Sequence, residues 1–228
     1  MSATIIILLV VAYLIGSVPS AVWVGKTFHG IDVREHGSGN AGATNTFRVL
    51  GKKAGIPVLL LDIAKGALAV NLVLIQTKYS IEDIAPYTNL KLAFGFCAVL
   101  GHIFPLFAGF RGGKGIATLL GIVLAVHPPA ALSALGVFLI VLTITKYVSL
   151  GSMIAGISFP LFILLVFTKN QVLSLIIFSC VVSVLIIVTH QKNIIRLLNN
   201  SENKTYLFGK RHKIAGINEE QDVDEFSK

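Results

Sequence analysis

Charge is what this chain has least of. Asp, Glu, Lys and Arg make up 13% of its 228 residues, where a soluble domain carries about 25%. Apolar residues reach 54% and fall into long unbroken blocks. Runs approaching ~20 such residues cross the ~30 Å of hydrocarbon in a bilayer. A soluble globule is excluded, and the chain reads as a polytopic membrane protein. Cysteine is nearly absent. Cys97 and Cys180 stand alone inside apolar blocks, which leaves them as small packing residues rather than a disulfide or metal ligands. Carboxylates are scarce, 11 against 19 Lys and Arg. Phosphotransferases that hold divalent ions need several Asp at helical spacing, so neither a metal nor a cofactor is expected. The net charge of +8 has no soluble basic domain to sit on, so nucleic acid is not a partner. No internal repeat stands out, which removes support for an inverted-repeat transporter.

Seven apolar segments qualify as spans, at about 3–25, 54–76, 90–109, 115–127, 130–146, 148–168 and 171–190. The first lacks a basic leader and runs on to Lys26, so it reads as a retained helix and not a cleaved signal. His127, Pro128 and Pro129 part the fourth from the fifth, because two prolines do not readily continue a helix. Merging that pair would leave six spans. Charge arbitrates. With seven spans and the N-terminus outside, Lys26, Arg34, Arg48, Lys52, Lys53, Arg111, Lys114, Lys146, Lys192, Arg196, Lys204, Lys210, Arg211, Lys213 and Lys228 all face inward. Only Lys78, Lys91 and Lys169 face out, and Lys65 lies within a helix. The positive-inside rule thus predicts an all-α fold of about seven transmembrane helices, N-terminus outside and C-terminus cytoplasmic. Residues 1–215 form a single integral-membrane domain; residues 216–228 are polar and acidic, a solvated tail open to disorder.

Three polar motifs interrupt the apolar pattern. The first, "REHGSGNAGATNTFRVLGKKAG" (34–55), has Gly37, Gly39 and Gly42 to bare backbone N–H groups and permit positive φ, as an anion-holding nest requires. Ser38, Asn40, Thr44 and Asn45 add short donors, and Arg48 adds a guanidinium fork for phosphate. An ordinary turn-rich loop uses the same residue types. In the second, Gly112, Gly113 and Gly115 surround Lys114 where a helix starts near Ile116, a natural oxyanion site. It is not a Walker A loop, since Ala108 and Gly115 stand where that pattern needs Gly and Ser or Thr. A basic lipid anchor is the plainer alternative, but it has no use for three glycines. The third, "THQKNIIRLLNNSENKT" (189–205), sets His190, Asn193 and Arg196 at i, i+3 and i+6, on one face if the helix continues. All three fall on the side the charge rule places in the cytoplasm. They suit two anionic groups held beside hydrocarbon. Asp62 and Lys65, at i and i+3, are expected to pair inside the second span, and His102 to bond within the bundle.

At "SGNAGATNTFR", "GHIFPLFAGFRGGKGIAT" and "HQKNIIRLLNNSE" the chain resembles the bacterial acyl-phosphate:glycerol-3-phosphate acyltransferase family (PlsY). The likeness runs from Ser38 to Glu202 with one departure: Asn200 stands where the family usually has Gly. Asn also tolerates the left-handed conformation, so a helix-ending turn survives. The resemblance implies a seven-helix, multi-pass enzyme of the bacterial cytoplasmic membrane with its active site facing the cytoplasm. It would move a fatty acyl group from acyl phosphate to the 1-hydroxyl of sn-glycerol 3-phosphate, yielding lysophosphatidic acid and phosphate, the first step of phospholipid synthesis. It also implies a functional link to the enzyme that makes acyl phosphate, and contact with membrane lipid. By likeness Ser38, Arg48, Lys114, His190, Asn193 and Arg196 line the site, with Glu202 supporting the third motif. Glycerophosphate acyltransferases that use His with Asp five positions on are excluded, because no His here has that partner.

The mixed anhydride is already activated, so positioning and charge stabilisation are the expected means of catalysis. Lys114 and the 112–115 backbone are expected to hold the donor phosphate; Arg48, Asn193 and Arg196, with Asn40, Asn45 and Ser38 nearby, would hold the acceptor. The proton goes either to a substrate phosphate or to His190, and sequence does not choose. A transporter of organic phosphates would use similar cations, but near the bilayer midplane rather than at one edge.

Overall fold

The computed structural model describes residues 2–169 and 172–205, so the acidic stretch 216–228 and the boundary at 215 lie outside the described residues. Among these residues all regular structure is helical, in ten α-helices. They are α1 (Ala3–Gly16), α2 (Ser20–His29), α3 (Ala43–Val49), α4 (Lys52–Asn71), α5 (Ile84–Ile103), α6 (Ile116–Val126), α7 (Pro128–Thr145), α8 (Val148–Leu165), α9 (Leu173–Thr189) and α10 (Gln191–Leu198).

Each apolar segment is helical, but not all match a full crossing. Among the described residues four helices are long and apolar enough to cross a membrane, or up to six if each of two bent pairs counts as one span. α6 has 11 residues, about 16 Å at the helical rise, against ~30 Å of hydrocarbon. The first segment is a bent pair rather than one helix. Pro19 has no N–H to continue the ladder, and α1 and α2 meet there at 42°. The last segment bends too. α9 and α10 meet at 58° across His190, so the straight continuation that would align residues 190, 193 and 196 is replaced by a corner. Two prolines start α7 after the His127 cap, as the reversal there requires.

α4 packs chiefly on α6, α7 on α8 and α1 on α5. The α4–α6 crossing is backbone against backbone: a Cβ on Gly66 would collide with the Thr118 carbonyl, and one on Gly121 with the Ile63 carbonyl. The largest buried apolar cluster joins α6 to α9 through Ile122, Phe159, Ile163, Phe178 and Ile186. Leu60, Leu68, Leu139, Ile144 and Val184 point outward, as side chains meeting lipid do. Asp62 and Lys65 pair at 2.8 Å inside the bundle, and His102 Nδ1 lies 3.1 Å from the Thr118 hydroxyl. Both match their sequence reading.

The helices deliver four polar stretches to one end. Arg34 Nη1 donates to the Ala108 carbonyl at 2.8 Å. The Thr205 N–H donates to the Lys146 carbonyl at 2.7 Å, and the Ser149 hydroxyl to Glu202 at 2.8 Å. At the other end Lys91 Nζ caps α6 through the Ala125 carbonyl at 3.0 Å.

Candidate functional site

The loop between α2 and α3 is wound around one amide. Asn45, 1% exposed, donates through Nδ2 to the carbonyls of Val33 at 2.7 Å and His36 at 3.1 Å. Its Oδ1 accepts from the Ser38 N–H at 2.8 Å and the Ser38 hydroxyl at 3.0 Å. With both donors spent, Asn45 holds the loop, and its reading as a phosphate donor does not fit this geometry. Gly37 (φ +62) has no room for a side chain against Asn45 Oδ1 and lies on the Arg48 stem. Ser38 is therefore carried beside Arg48, with its hydroxyl oxygen still able to accept. Asn40 is half-buried, its amide lying close to the Gly42 cap of α3.

The glycine loop also departs from expectation. The Gly112 N–H donates to the Ile103 carbonyl at 3.2 Å, and the Gly113 N–H to the His102 carbonyl at 3.1 Å. Both groups satisfy the open carbonyls at the end of α5 and are not free to hold an anion. The absent Cβ atoms serve close approach: a side chain on Gly112 would strike the His102 carbonyl, and one on Gly113 the His102 ring. Gly115 (φ +78) caps α6 in the left-handed region. Among the described residues the N–H groups of Lys114 and Gly115 have no hydrogen-bond partner. The amide donors thus begin two positions later than expected, at Lys114. Arg111 is exposed and its side chain takes no part in the cluster.

α10 and the turn after it complete the site. The Lys114 ammonium donates to Asn193 Oδ1. Asn193 Nδ2 donates to Glu202 Oε1 at 2.7 Å, and Arg196 Nε to Glu202 Oε2 at 2.8 Å. Glu202 thereby accepts from Asn193, Arg196 and Ser149 at once. An ammonium needs an acceptor and a carboxylate needs a donor, so the Asn193 amide can face only one way. His190, 3% exposed, donates from Nδ1 to the Ile186 carbonyl at 2.8 Å, leaving the Nε2 lone pair as its acceptor. The tight turn into Glu202 passes through Asn200 at φ +53, a left-handed conformation that Asn tolerates.

Electrostatics tie the motifs together. Burial pushes the Lys114 ammonium down to about 8; Glu202 draws it back up, and Arg196 and Arg48 lower it further. Arg48 is lowered chiefly by burial, with Glu202 opposing and Arg196 assisting. Burial works to raise the Glu202 carboxyl, but hydrogen bonds from Asn193, Ser149 and Arg196 outweigh it and hold it below its ordinary value. Arg48, Lys114, Asn193, Arg196 and Glu202 are one cluster, with His190 beside it. Ser38 is held by Asn45, next to the Gly37 contact with Asn45 and Arg48, and bonds to none of the cluster's side chains among the described residues. Among the described residues no three His, Cys, Asp or Glu gather as metal ligands do. The donors present are ammonium, guanidinium and amide groups, which suit oxyanions.

Two contributors escaped the sequence reading. Ser149, in the first turn of α8, bonds Glu202 across 53 positions. Arg34 is clamped by Asp32 at 2.7 Å and donates to the Ala108 and Arg111 carbonyls, tying the first loop to the second. An isolated serine opening an apolar helix was the only signal for the first. For the second it was a lone Asp two positions before an Arg.

A family model described as "Glycerol-3-phosphate acyltransferase" matches residues 6–200. Glycerol-3-phosphate acyltransferases of Chlorobaculum tepidum and Enterococcus faecalis are 44% and 46% identical to the chain. Each match covers 92% of this chain, with 99% and 95% of those proteins. A crystal structure of PlsY (YgiH), described as an integral membrane glycerol 3-phosphate acyltransferase in its glycerol 3-phosphate form, superposes with a TM-score of 0.78. It is 38% identical over 90% of this chain and 96% of its own. The lysophosphatidic acid form of PlsY superposes with a TM-score of 0.75.

Proposed function

The chain belongs to the glycerol-3-phosphate acyltransferase family, as an integral-membrane acyltransferase of the PlsY type, and from that premise we propose its donor, its site and its orientation. The donor is acyl phosphate and the acceptor the 1-hydroxyl of sn-glycerol 3-phosphate, giving 1-acyl-glycerol 3-phosphate and inorganic phosphate. The observation that carries this reading is the clustering of Arg48, Lys114 and Arg196 around a single carboxylate, Glu202. Two positive charges remain uncompensated, enough to hold two phosphates side by side.

The glycerol oxygen attacks the acyl carbonyl carbon, and the bond from that carbon to the phosphate oxygen breaks. The bonding electrons leave with phosphate, and the hydroxyl proton passes to that phosphate or to His190 Nε2. Little nucleophilic chemistry is asked of the protein, because the mixed anhydride is activated before it binds. Lys114 and the open amides of Lys114 and Gly115 grip the donor phosphate and meet charge developing on the carbonyl oxygen. Arg48, the terminal nitrogens of Arg196 and the Asn193 amide orient glycerol phosphate, with Ser38 alongside. Glu202 holds Asn193 and Arg196 in register. The acyl tail lies among the helices, and the site opens toward the cytoplasm of a bacterial inner membrane. The polar stretches that gather at one end hold most of the chain's cations, in line with the positive-inside rule. An enzyme that makes acyl phosphate must supply the donor, and the product enters phospholipid synthesis.

The test is purified protein with glycerol 3-phosphate and either palmitoyl phosphate or palmitoyl-CoA. Phosphate release with lysophosphatidic acid from the first alone is expected. Turnover from the coenzyme A ester and none from the phosphate overturns the donor assignment.

A further inference from the structure

Beneath the glycine loop lies a second polar cluster that the reaction does not use. Asp62, 1% exposed, and Lys65, 6% exposed, sit on α4 inside the bundle. Asp62 Oδ1 accepts from Lys65 Nζ at 2.8 Å and from the Ser20 hydroxyl at 3.0 Å. Lys65 also donates to the Val18 carbonyl at 2.9 Å, at the break between α1 and α2. His102 Nδ1 lies 3.7 Å from Asp62 Oδ1 and 3.1 Å from the Thr118 hydroxyl on α6. A buried ion pair costs several kcal/mol of desolvation, and apolar side chains of similar size would pack there as well or better. Its presence calls for a role other than stability.

The geometry supplies one. His102 is the upper member of the cluster, and the loop rests on it twice. Its carbonyl accepts from the Gly113 N–H, and its ring fills the place where a Gly113 side chain would be. Above Gly113 lies the Ala41 carbonyl of the first loop, 2.9 Å from where that Cβ would stand. A cavity of about 10 Å³ between Ser20, Ala41, Lys65, His102, Gly112 and Gly113 marks where the two layers meet. The next residue is Lys114. α4, α5, α6 and the α1–α2 break each give the cluster one or two groups, so it fixes four elements against one another directly below the loop.

We infer that Asp62, Lys65 and His102, with Ser20 and Thr118, are positioning residues for the 112–115 loop: they set its height and so the place where Lys114 meets phosphate. The inference rests on the reading of Lys114 as a phosphate ligand. A charge-assisted hydrogen bond from Lys114 to phosphate depends on short, directed geometry, so a rigid floor has value that its stability does not measure.

The experiment compares full-length variants in detergent, with KM for each phosphate substrate, kcat and melting temperature read together. Lys114→Ala is the control. If it shifts neither KM, the reading of Lys114 fails, whatever the cluster does. Gly113→Ala is expected to raise the KM that Lys114→Ala raises, by about tenfold or more, because the new methyl drives the loop off the imidazole. His102→Ala alone, which takes away the ring against Gly113, is expected to raise the same KM. The paired change Asp62→Leu with Lys65→Met leaves no orphan charge, so it should fold with a melting temperature near that of the parent. It should raise the same KM and spare kcat more. Asp62→Glu, which keeps the pair, should stay closer to the parent KM than the paired change does. A folded Asp62→Leu/Lys65→Met protein or a folded His102→Ala protein with unchanged KM overturns the inference.

Discussion

The Lys114 ammonium donates to the Asn193 carbonyl oxygen across 79 positions of chain, and this bond joins the second motif to the third. Because Asn193 also donates to Glu202, one amide passes the demand of a carboxylate on to an ammonium. The members of the cluster hold one another in place, as electrostatic preorganisation requires.

Removing that amide should therefore cost more than one contact. Asn193→Ala leaves Lys114 without its acceptor and Glu202 without one donor. A hydrogen bond to a charged group is worth about 1.5–3 kcal/mol, so kcat/KM should fall about 10- to 100-fold. Asn193→Asp should do worse, since it sets a second carboxylate against Glu202 in a site built for anions. Steady-state kinetics with palmitoyl phosphate would reveal either a ranking of this kind or its absence.

Lys114 should impose an alkaline limit. Its folded pKa is about 8, so it is cationic below that pH and loses its charge as pH rises through it. Since kcat/KM reports the free enzyme, it should decline above about pH 8, approaching tenfold per pH unit. Bound phosphate favours the cation, so the decline in kcat should begin at higher pH. Lys114→Arg stays charged and should abolish the limb even at reduced activity. A limb that persists in that variant belongs to another group.

His190 decides the route of the proton. Near-complete loss in His190→Ala with no return in His190→Gln supports a base at Nε2. Substantial turnover in either variant assigns the proton to a substrate phosphate. Single-turnover phosphate release separates these outcomes.

Asn200 should accept glycine freely. At φ +53 a β-branched residue pays about 1–2 kcal/mol for the left-handed conformation. Asn200→Val should lower melting temperature and activity together by misplacing Glu202, while Asn200→Gly should leave both close to the parent.

Helix identity was legible in this sequence wherever apolar blocks were long, because a helix is what satisfies a backbone in lipid from within one continuous segment. The breaks were not. Pro19 and His190 lie inside or at the edge of apolar runs, and hydropathy is blind to a bend of 42° or 58°. The members of the polar cluster were also visible, since cations and amides in so apolar a chain are conspicuous. Their division of labour was hidden. A glycine that bares an amide and a glycine that lets two backbones touch are the same letter, and Gly112 and Gly113 proved to be the second kind. Asn45 is a loop organiser for the same reason: only the fold says whether its donors are already spent. Ser149 and Arg34 work through partners dozens of positions away, which no local pattern encodes.

The crossing of α4 and α6 has a consequence for how this protein tolerates variation. Gly66 and Gly121 each lie on a carbonyl of the opposing helix, inside the bundle and outside the polar cluster. Any side chain at either position prises the short helix away from its neighbour and tips the end that begins at Gly115. A saturation library selected for growth would accordingly show two intolerant columns in the greasy interior, as stark as those at the charged rim.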